Sequence, residues 1–180
     1  MIDEWAPKIE IPGRAQIDPR CLLHGMTGNE SRFGEIQFTP RFEPNYYRGG
    51  RYYLKPANEW LRRAVTRYEQ CAAMSWGAWQ IMYPTAVELG YDGHPWGLSL
   101  PEECIRWVVA YLNRRTYKEW DDAPRAILRP PALTVEQSGD SYNTGNHWDD
   151  VHNAKYEREL RENYDKAAAF YEGRKTEETP

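Results

Sequence analysis

A chain of 180 residues, 41% hydrophobic and 14% aromatic, is long enough to bury the core of one domain. Its net charge of −4 and pI near 5.6 argue against a duplex nucleic-acid binder, which carries a basic face. No stretch approaches the ~20 apolar residues of a membrane span, and the acidic first residues lack the apolar core of a secretory signal.

Eight Trp and thirteen Tyr stand against four Phe, a choice that suits cores and also flat, polar-edged sugar grooves. Basic residues gather locally (Arg48, Arg51, Lys55; Arg62, Arg63, Arg67; Arg114, Arg115, Lys118), but acidic neighbours dilute them and they read as solvated faces. Cys21, Cys71 and Cys104 are widely spaced and odd in number, which points to buried thiols rather than a disulfide framework.

In chain order, residues 1–18 hold two prolines and no periodicity, and predict an extended arm. Asp18 followed by Pro19 is an N-cap and first-turn pair, opening a helix with Cys21, Leu22 and Met26 on its apolar side that runs to about Glu30. Ile36, Phe38 and Phe42 alternate with polar residues across 34–48, as in a short strand or hairpin. Tyr46, Tyr47, Gly49, Gly50, Tyr52 and Tyr53 make an aromatic loop. Pro56 opens a second helix carrying Trp60, Leu61, Ala64, Val65 and Tyr68 at helical spacing. A third is expected from Trp76 to Leu89, stopped by Gly90, and a fourth from Pro101, with Ile105, Val108, Val109 and Leu112 buried. Residues 119–133 carry no clear pattern, and Pro130-Pro131 ends whatever precedes them. A short helix over 134–142 and a long one from about Asp149 to Tyr171 follow. The expected class is mainly α (α+β), with a small β-hairpin after the first buried helix. The expected division is an arm at 1–18, one domain at 19–172 and a charged tail at 173–180.

Chemistry concentrates in three segments. In Gly28-Asn29-Glu30-Ser31-Arg32-Phe33, a carboxylate closes an apolar helix. Partial burial there favours the protonated form, which a general acid for glycosidic cleavage requires. Alone, Glu30 reads more readily as a surface acid weakly paired with Arg32. In Met74-Ser75-Trp76-Gly77-Ala78-Trp79-Gln80-Ile81-Met82, small Ser75 and Gly77 allow close backbone approach, and Gln80 supplies a donor and an acceptor. In Ser141-Tyr142-Asn143-Thr144-Gly145-Asn146, Tyr142 and Asn143 offer hydrogen bonds to a sugar, in what is otherwise a good turn sequence.

In this order, Glu-Ser-Arg-Phe, then Ser-Trp-Gly-Ala-Trp-Gln-Ile-Met with Thr85-Ala86 and Leu89-Gly90-Tyr91, then Tyr-Asn-Thr-Gly, the chain resembles the soluble lytic transglycosylase and goose-type lysozyme superfamily. It differs in the long segment between Glu30 and Ser75. Within it, Arg41-Phe42-Glu43-Pro44-Asn45-Tyr46-Tyr47-Arg48 resembles the Phe-Glu-Pro-His stretch of phage-type N-acetylmuramidase domains. The resemblance covers roughly residues 20–171. It implies a lysozyme-like helical domain that cuts peptidoglycan between N-acetylmuramic acid and N-acetylglucosamine. Glu30 takes the place of the catalytic acid. Ser75, Gln80, Tyr142 and Asn143 take those of groove-lining residues, and Glu43 is structural or groove-lining.

The mechanism then forks. A second carboxylate, of which Glu35 and Glu43 are nearest in sequence, would give hydrolysis. Without one, the substrate's own 6-hydroxyl or acetamido group would take its place, and the product would be a 1,6-anhydro sugar. No cofactor or metal is implied: His147 and His152 flank Asp149 and Asp150 without the spacing of a metal motif. The expected partner is a peptidoglycan glycan strand, not nucleic acid or membrane. The setting is a bacterial cell wall, reached from a cytoplasm without a signal peptide or carried in a phage virion. The competing class is a tail or internal virion protein with this fold and little or no activity, contacting other virion proteins.

Overall fold

The computed structural model describes residues 1–35, 39–118, 120–122, 127–129, 131–144 and 153–177. The chain divides into two compact units, one of Met1–Asn29 and Val109–Pro180, the other of Glu30–Val108. The architecture is mainly helical with small antiparallel sheets, as the residue pattern predicts. Among the described residues no helix is long and apolar enough to cross a membrane.

The first unit begins with α1 (Ile2–Trp5) and a 3-10 turn over Ala6–Lys8, where the sequence predicted an extended arm. Ala6, Ile9 and Ile17 are buried, so this segment belongs to the core rather than trailing from it. Asn113 fastens it: its Oδ1 accepts from Glu10 N at 2.8 Å and its Nδ2 donates to Lys8 O at 2.8 Å. Next comes α2 (Pro19–Ser31), capped as expected, with Asp18 Oδ1 accepting from Arg20 N at 2.8 Å. Gly25 permits a close approach to α7 (Ala154–Glu177), since a Cβ there would lie 2.9 Å from Tyr164 N. On the same seam, Asn29 donates to Tyr156 O and accepts from Asn163 Nδ2.

The fourth expected helix is α5 (Pro101–Tyr111), which relaxes into a π-helical turn over Leu112–Thr116. Beyond it, β4 (Trp120–Asp122) pairs antiparallel with β5 (Ile127–Arg129) in a stretch whose sequence carried no clear pattern. α6 (Val135–Thr144) packs on α7 through Gly139, where a Cβ would fall 2.6 Å from a Leu160 methyl. A buried polar set sits between α5 and α6. Tyr111 Oη donates to Ser141 O at 2.7 Å, Thr116 and Ser141 hydroxyls meet at 3.1 Å, and those of Tyr117 and Ser138 at 2.9 Å. Each hydroxyl of the set has a hydrogen-bond partner, as buried polar groups generally do. α7 runs through Gly173 to Glu177, where a charged tail from residue 173 was expected. Ala167, Ala168 and Ala169 and the surrounding Glu, Lys and Arg are strong helix formers, and together they outweigh the ~1 kcal/mol that one glycine costs.

The second unit opens with the last residues of α2, Glu30 and Ser31. Arg32, Phe33 and Gly34 then adopt φ of 51°, 58° and 91°, and Ser31 Oγ accepts from Gly34 N at 3.0 Å, ending the helix abruptly. Of the expected strand at 34–48, Ile36 and Phe38 lie outside the described residues, and β1 is Arg41–Phe42. α3 (Glu59–Tyr68), entered through a 3-10 turn at Pro56–Asn58, buries Leu61 and Val65 as its spacing predicts.

The helix expected from Trp76 to Leu89 is not formed. Instead β2 (Met74–Trp76) turns back into β3 (Ile81–Met82), and only α4 (Tyr83–Glu88) is helical. Gly77 at φ 75° and Gln80 at φ 48° make the turn, a left-handed geometry that a helix does not accommodate. Pro84, within the first turn of α4, suits the start of a helix and not its middle. β1, β2 and β3 form a three-stranded antiparallel sheet with Arg41 opposite Ser75 and Ser75 opposite Met82. The expected hairpin insert is therefore replaced by a sheet assembled from two distant segments. Leu61, Val65, Trp79, Leu98, Ile105 and Val108 are buried in this unit.

Candidate functional site

Glu30 and the Ser75–Gln80 turn belong to the same unit. Glu30 is half-buried in the last turn of α2 and is immediately followed by the left-handed Arg32 and Phe33. Non-glycine residues in that region store strain of about 1–3 kcal/mol each, and such residues collect at functional sites.

The turn itself is tightly knit. Ser75, fully buried, donates its hydroxyl to Gln80 Oε1 at 2.9 Å, and Gln80 Nε2 donates to Gly77 O at 2.9 Å. The longer contacts are Ser75 Oγ to Arg41 O and Gln80 Nε2 to Thr39 O, both 3.5 Å. Both ends of the Gln80 amide are thus engaged, and Gln80 is only 7% exposed. Ser75 and Gln80 therefore shape the turn, whereas the resemblance assigned them to the groove surface. A ligand on this turn meets its backbone rather than their side chains.

Beneath the turn lies Cys104. Its Sγ is 3.5 Å from Trp76 O, and a Cβ on Gly77 would stand 2.5 Å from that sulfur and 2.5 Å from Leu98 O. Only glycine fits at position 77. Burial pushes the Cys104 thiol up to about 12, against the pull of backbone N–H groups of the turn, and the negative charge of Glu30 adds to the rise.

Glu43 is held otherwise. Its Oε1 accepts from Arg41 Nε at 2.8 Å and its backbone N donates to Ala73 O at 2.8 Å, so it braces the β1 edge. Glu35 is exposed, in the turn after Phe33. The cysteines are all free; Cys21 and Cys104 are buried and Cys71 is half-buried.

Tyr142 and Asn143 belong to the other unit and lie in the last turn of α6 rather than in a loop. Tyr142 meets the Tyr111 ring edge-on at 5.4 Å, and Asn143 Oδ1 accepts from Asn153 Nδ2 at 2.7 Å. His147, His152, Asp149 and Asp150 lie outside the described residues. Among the described residues no cluster of His, Cys, Asp and Glu could hold a metal ion.

Residue-level reading passed over one feature, the packing of the Tyr46–Tyr53 loop. Tyr46 and Tyr52 stack at 4.6 Å and 20°, and Arg51 and Lys55 lie over the Tyr52 ring at 5.3 and 4.8 Å. The signal was Gly50 within a tyrosine run, because a Cβ there would stand 2.3 Å from Pro44 O and forbid the loop from closing on itself.

Set beside known proteins, the chain matches no protein-family model, no curated protein and no solved structure.

Proposed function

We propose that the chain is a peptidoglycan-cleaving muramidase or lytic transglycosylase in which Glu30 protonates the oxygen of the glycosidic bond between N-acetylmuramic acid and N-acetylglucosamine. The observation that carries this reading is the placement of Glu30, half-buried in the last turn of α2, followed at once by the left-handed Arg32 and Phe33 and in the same unit as the Ser75–Gln80 turn. The mechanism requires this carboxyl to hold its proton until the leaving oxygen takes it. The ordered motifs from Glu30 to Asn143 support it further, as does their resemblance to the lysozyme-like superfamily.

In this mechanism Glu30 donates its proton as an oxocarbenium-like centre develops, and then, as a carboxylate, accepts one from the attacking hydroxyl. Glu43 is committed to Arg41 and Glu35 is solvent-exposed, so neither is poised as the second carboxylate of a hydrolase. That favours attack by the substrate's own 6-hydroxyl. The test is mass spectrometry of purified sacculi incubated with the protein. Muropeptides lighter by one water than the reducing forms are expected; reducing ends would replace this fork with hydrolysis, and no released fragments would remove the reading.

The second reading is a virion structural protein of this fold. The engagement of both Ser75 and Gln80 inside the turn favours it, because it leaves the turn's side chains without free polar atoms for a sugar.

A further inference from the structure

One segment of the second unit carries charge opposite to that of the chain as a whole. Between Arg41 and Glu69 stand seven Arg or Lys residues against three Glu, an excess of four positive charges in a chain whose net charge is −4. The three acids are each matched by one cation: Glu43 with Arg41, Glu59 with Arg63, and Glu69 with Arg48. Arg62 is taken up structurally, donating to the carbonyls of Tyr53, Lys55 and Pro56. Arg51, Lys55 and Arg67 are exposed, and among the described residues they form no ion pair.

These cations stand on a built platform. Tyr52 N and Tyr53 N both donate to Asn45 O, Asn58 Nδ2 donates to Tyr52 O, and Gly50 lets the loop press on Pro44 and Asn45. The Arg62 bonds tie the loop to α3, and the Tyr47 and Arg48 contacts to Glu69 tie it at the far end of that helix. The charges are therefore held by a fixed scaffold, which lowers the ordering cost of binding.

We infer that the loop of residues 44–55, with the adjoining face of α3, is a docking surface for a phosphodiester-linked polyol polymer of the bacterial wall. The polyanion follows from charge complementarity, since Arg51 and Lys55, gathered on the Tyr52 ring, and Arg67 on α3 are left over in a segment whose acids are each already matched. Single-stranded nucleic acid fits less well. Binding there relies on open aromatic faces on which bases stack, whereas Tyr52 is covered by Tyr46 and overlaid by Arg51 and Lys55. Tyr47 is likewise flanked by Phe42 and Arg48. The choice of a wall polymer rests on the proposed cleavage of peptidoglycan. The surface would hold the protein at the wall while Glu30 works.

The test is binding of the full chain to polyglycerol phosphate across a salt series, in the wild type, Glu30→Gln, Arg51→Gln/Lys55→Gln and the control Lys155→Gln/Arg158→Gln. The control removes the same charge from exposed positions on α7. The wild type and Glu30→Gln should bind alike. Arg51→Gln/Lys55→Gln should lose affinity on the order of ten-fold and flatten the salt dependence by about one unit of slope per cation, with the control unchanged. Equal loss in the control would overturn the surface, as would oligothymidylate bound as tightly as polyglycerol phosphate. Binding without released muropeptides sinks the catalytic reading and leaves the surface standing. Muropeptide release without binding does the reverse.

Discussion

Ser75 Oγ donates to Gln80 Oε1 at 2.9 Å inside the turn between β2 and β3, with both residues shielded from water. The bond spans the turn, and Gln80 itself sits at φ 48°. A left-handed glutamine survives there because its amide is satisfied on both sides.

Breaking that bond from one end leaves a buried polar group with a lost partner. Ser75→Ala and Gln80→Ala are each expected to destabilise the protein by about 1–3 kcal/mol. The double variant should cost less than the sum of the two, with a coupling of about 0.5–3 kcal/mol because the residues are in contact. Urea unfolding of the four proteins measures this. Additive losses would show that the bond contributes nothing of its own.

Gly77→Ala should be costlier. The substitution puts a methyl 2.5 Å from both Cys104 Sγ and Leu98 O and forces alanine to φ 75°. Strain and overpacking each cost about 1–3 kcal/mol, so a loss of at least about 2 kcal/mol is expected, read as a lowered thermal midpoint. Pairing it with Cys104→Ala should recover part of the loss, whereas no recovery would mean that backbone strain alone is responsible.

Much of the helical framework was legible because it obeys local rules. Asp18 caps α2, Pro56 leads into α3, and Leu61 and Val65 fall inward as a 3.6-residue period requires. The expected helix at Trp76–Leu89 failed because its apolar residues suit a helix and a buried strand equally. Gly77 settles the conflict through its close approach to Cys104 and Leu98, which lie more than twenty residues onward. The buried N-terminal segment escaped notice for a similar reason: Asn113 fixes it from over a hundred residues away. At the candidate site, Glu30 was legible as a carboxylate ending an apolar helix. The inward commitment of Ser75 and Gln80 was not, since a serine or glutamine side chain looks the same in sequence whether its partner is protein or ligand.

Acid should loosen the first unit in a defined direction. The hydrogen bond from Arg161 to Glu136, at 2.7 Å, holds the Glu136 carboxyl below its ordinary value. Burial pushes the Asp18 carboxyl up, but hydrogen bonds from the Arg20 side chain and backbone, with its charge, outweigh it and leave the group lowered. Carboxyls lowered in the folded state contribute fully above their unfolded values, near 4, and that contribution fades as pH falls through the folded ones. The Arg161 and Glu136 side chains are 40% and 37% exposed, so solvent screening keeps this contribution small. Glu136→Gln should flatten the stability profile below pH ~5 while leaving most of the neutral-pH stability in place. An unchanged acid limb would assign the acid sensitivity elsewhere.

The role of Glu30 is tested most directly by clearing of a suspension of purified sacculi, with wild type and Glu30→Gln compared at equal fold content by circular dichroism. Removing a general acid typically costs about 10²–10⁴-fold in rate, so the wild type should clear the suspension and Glu30→Gln should not. Equal clearing by both proteins, or by neither, would contradict the assignment of Glu30 as the proton donor.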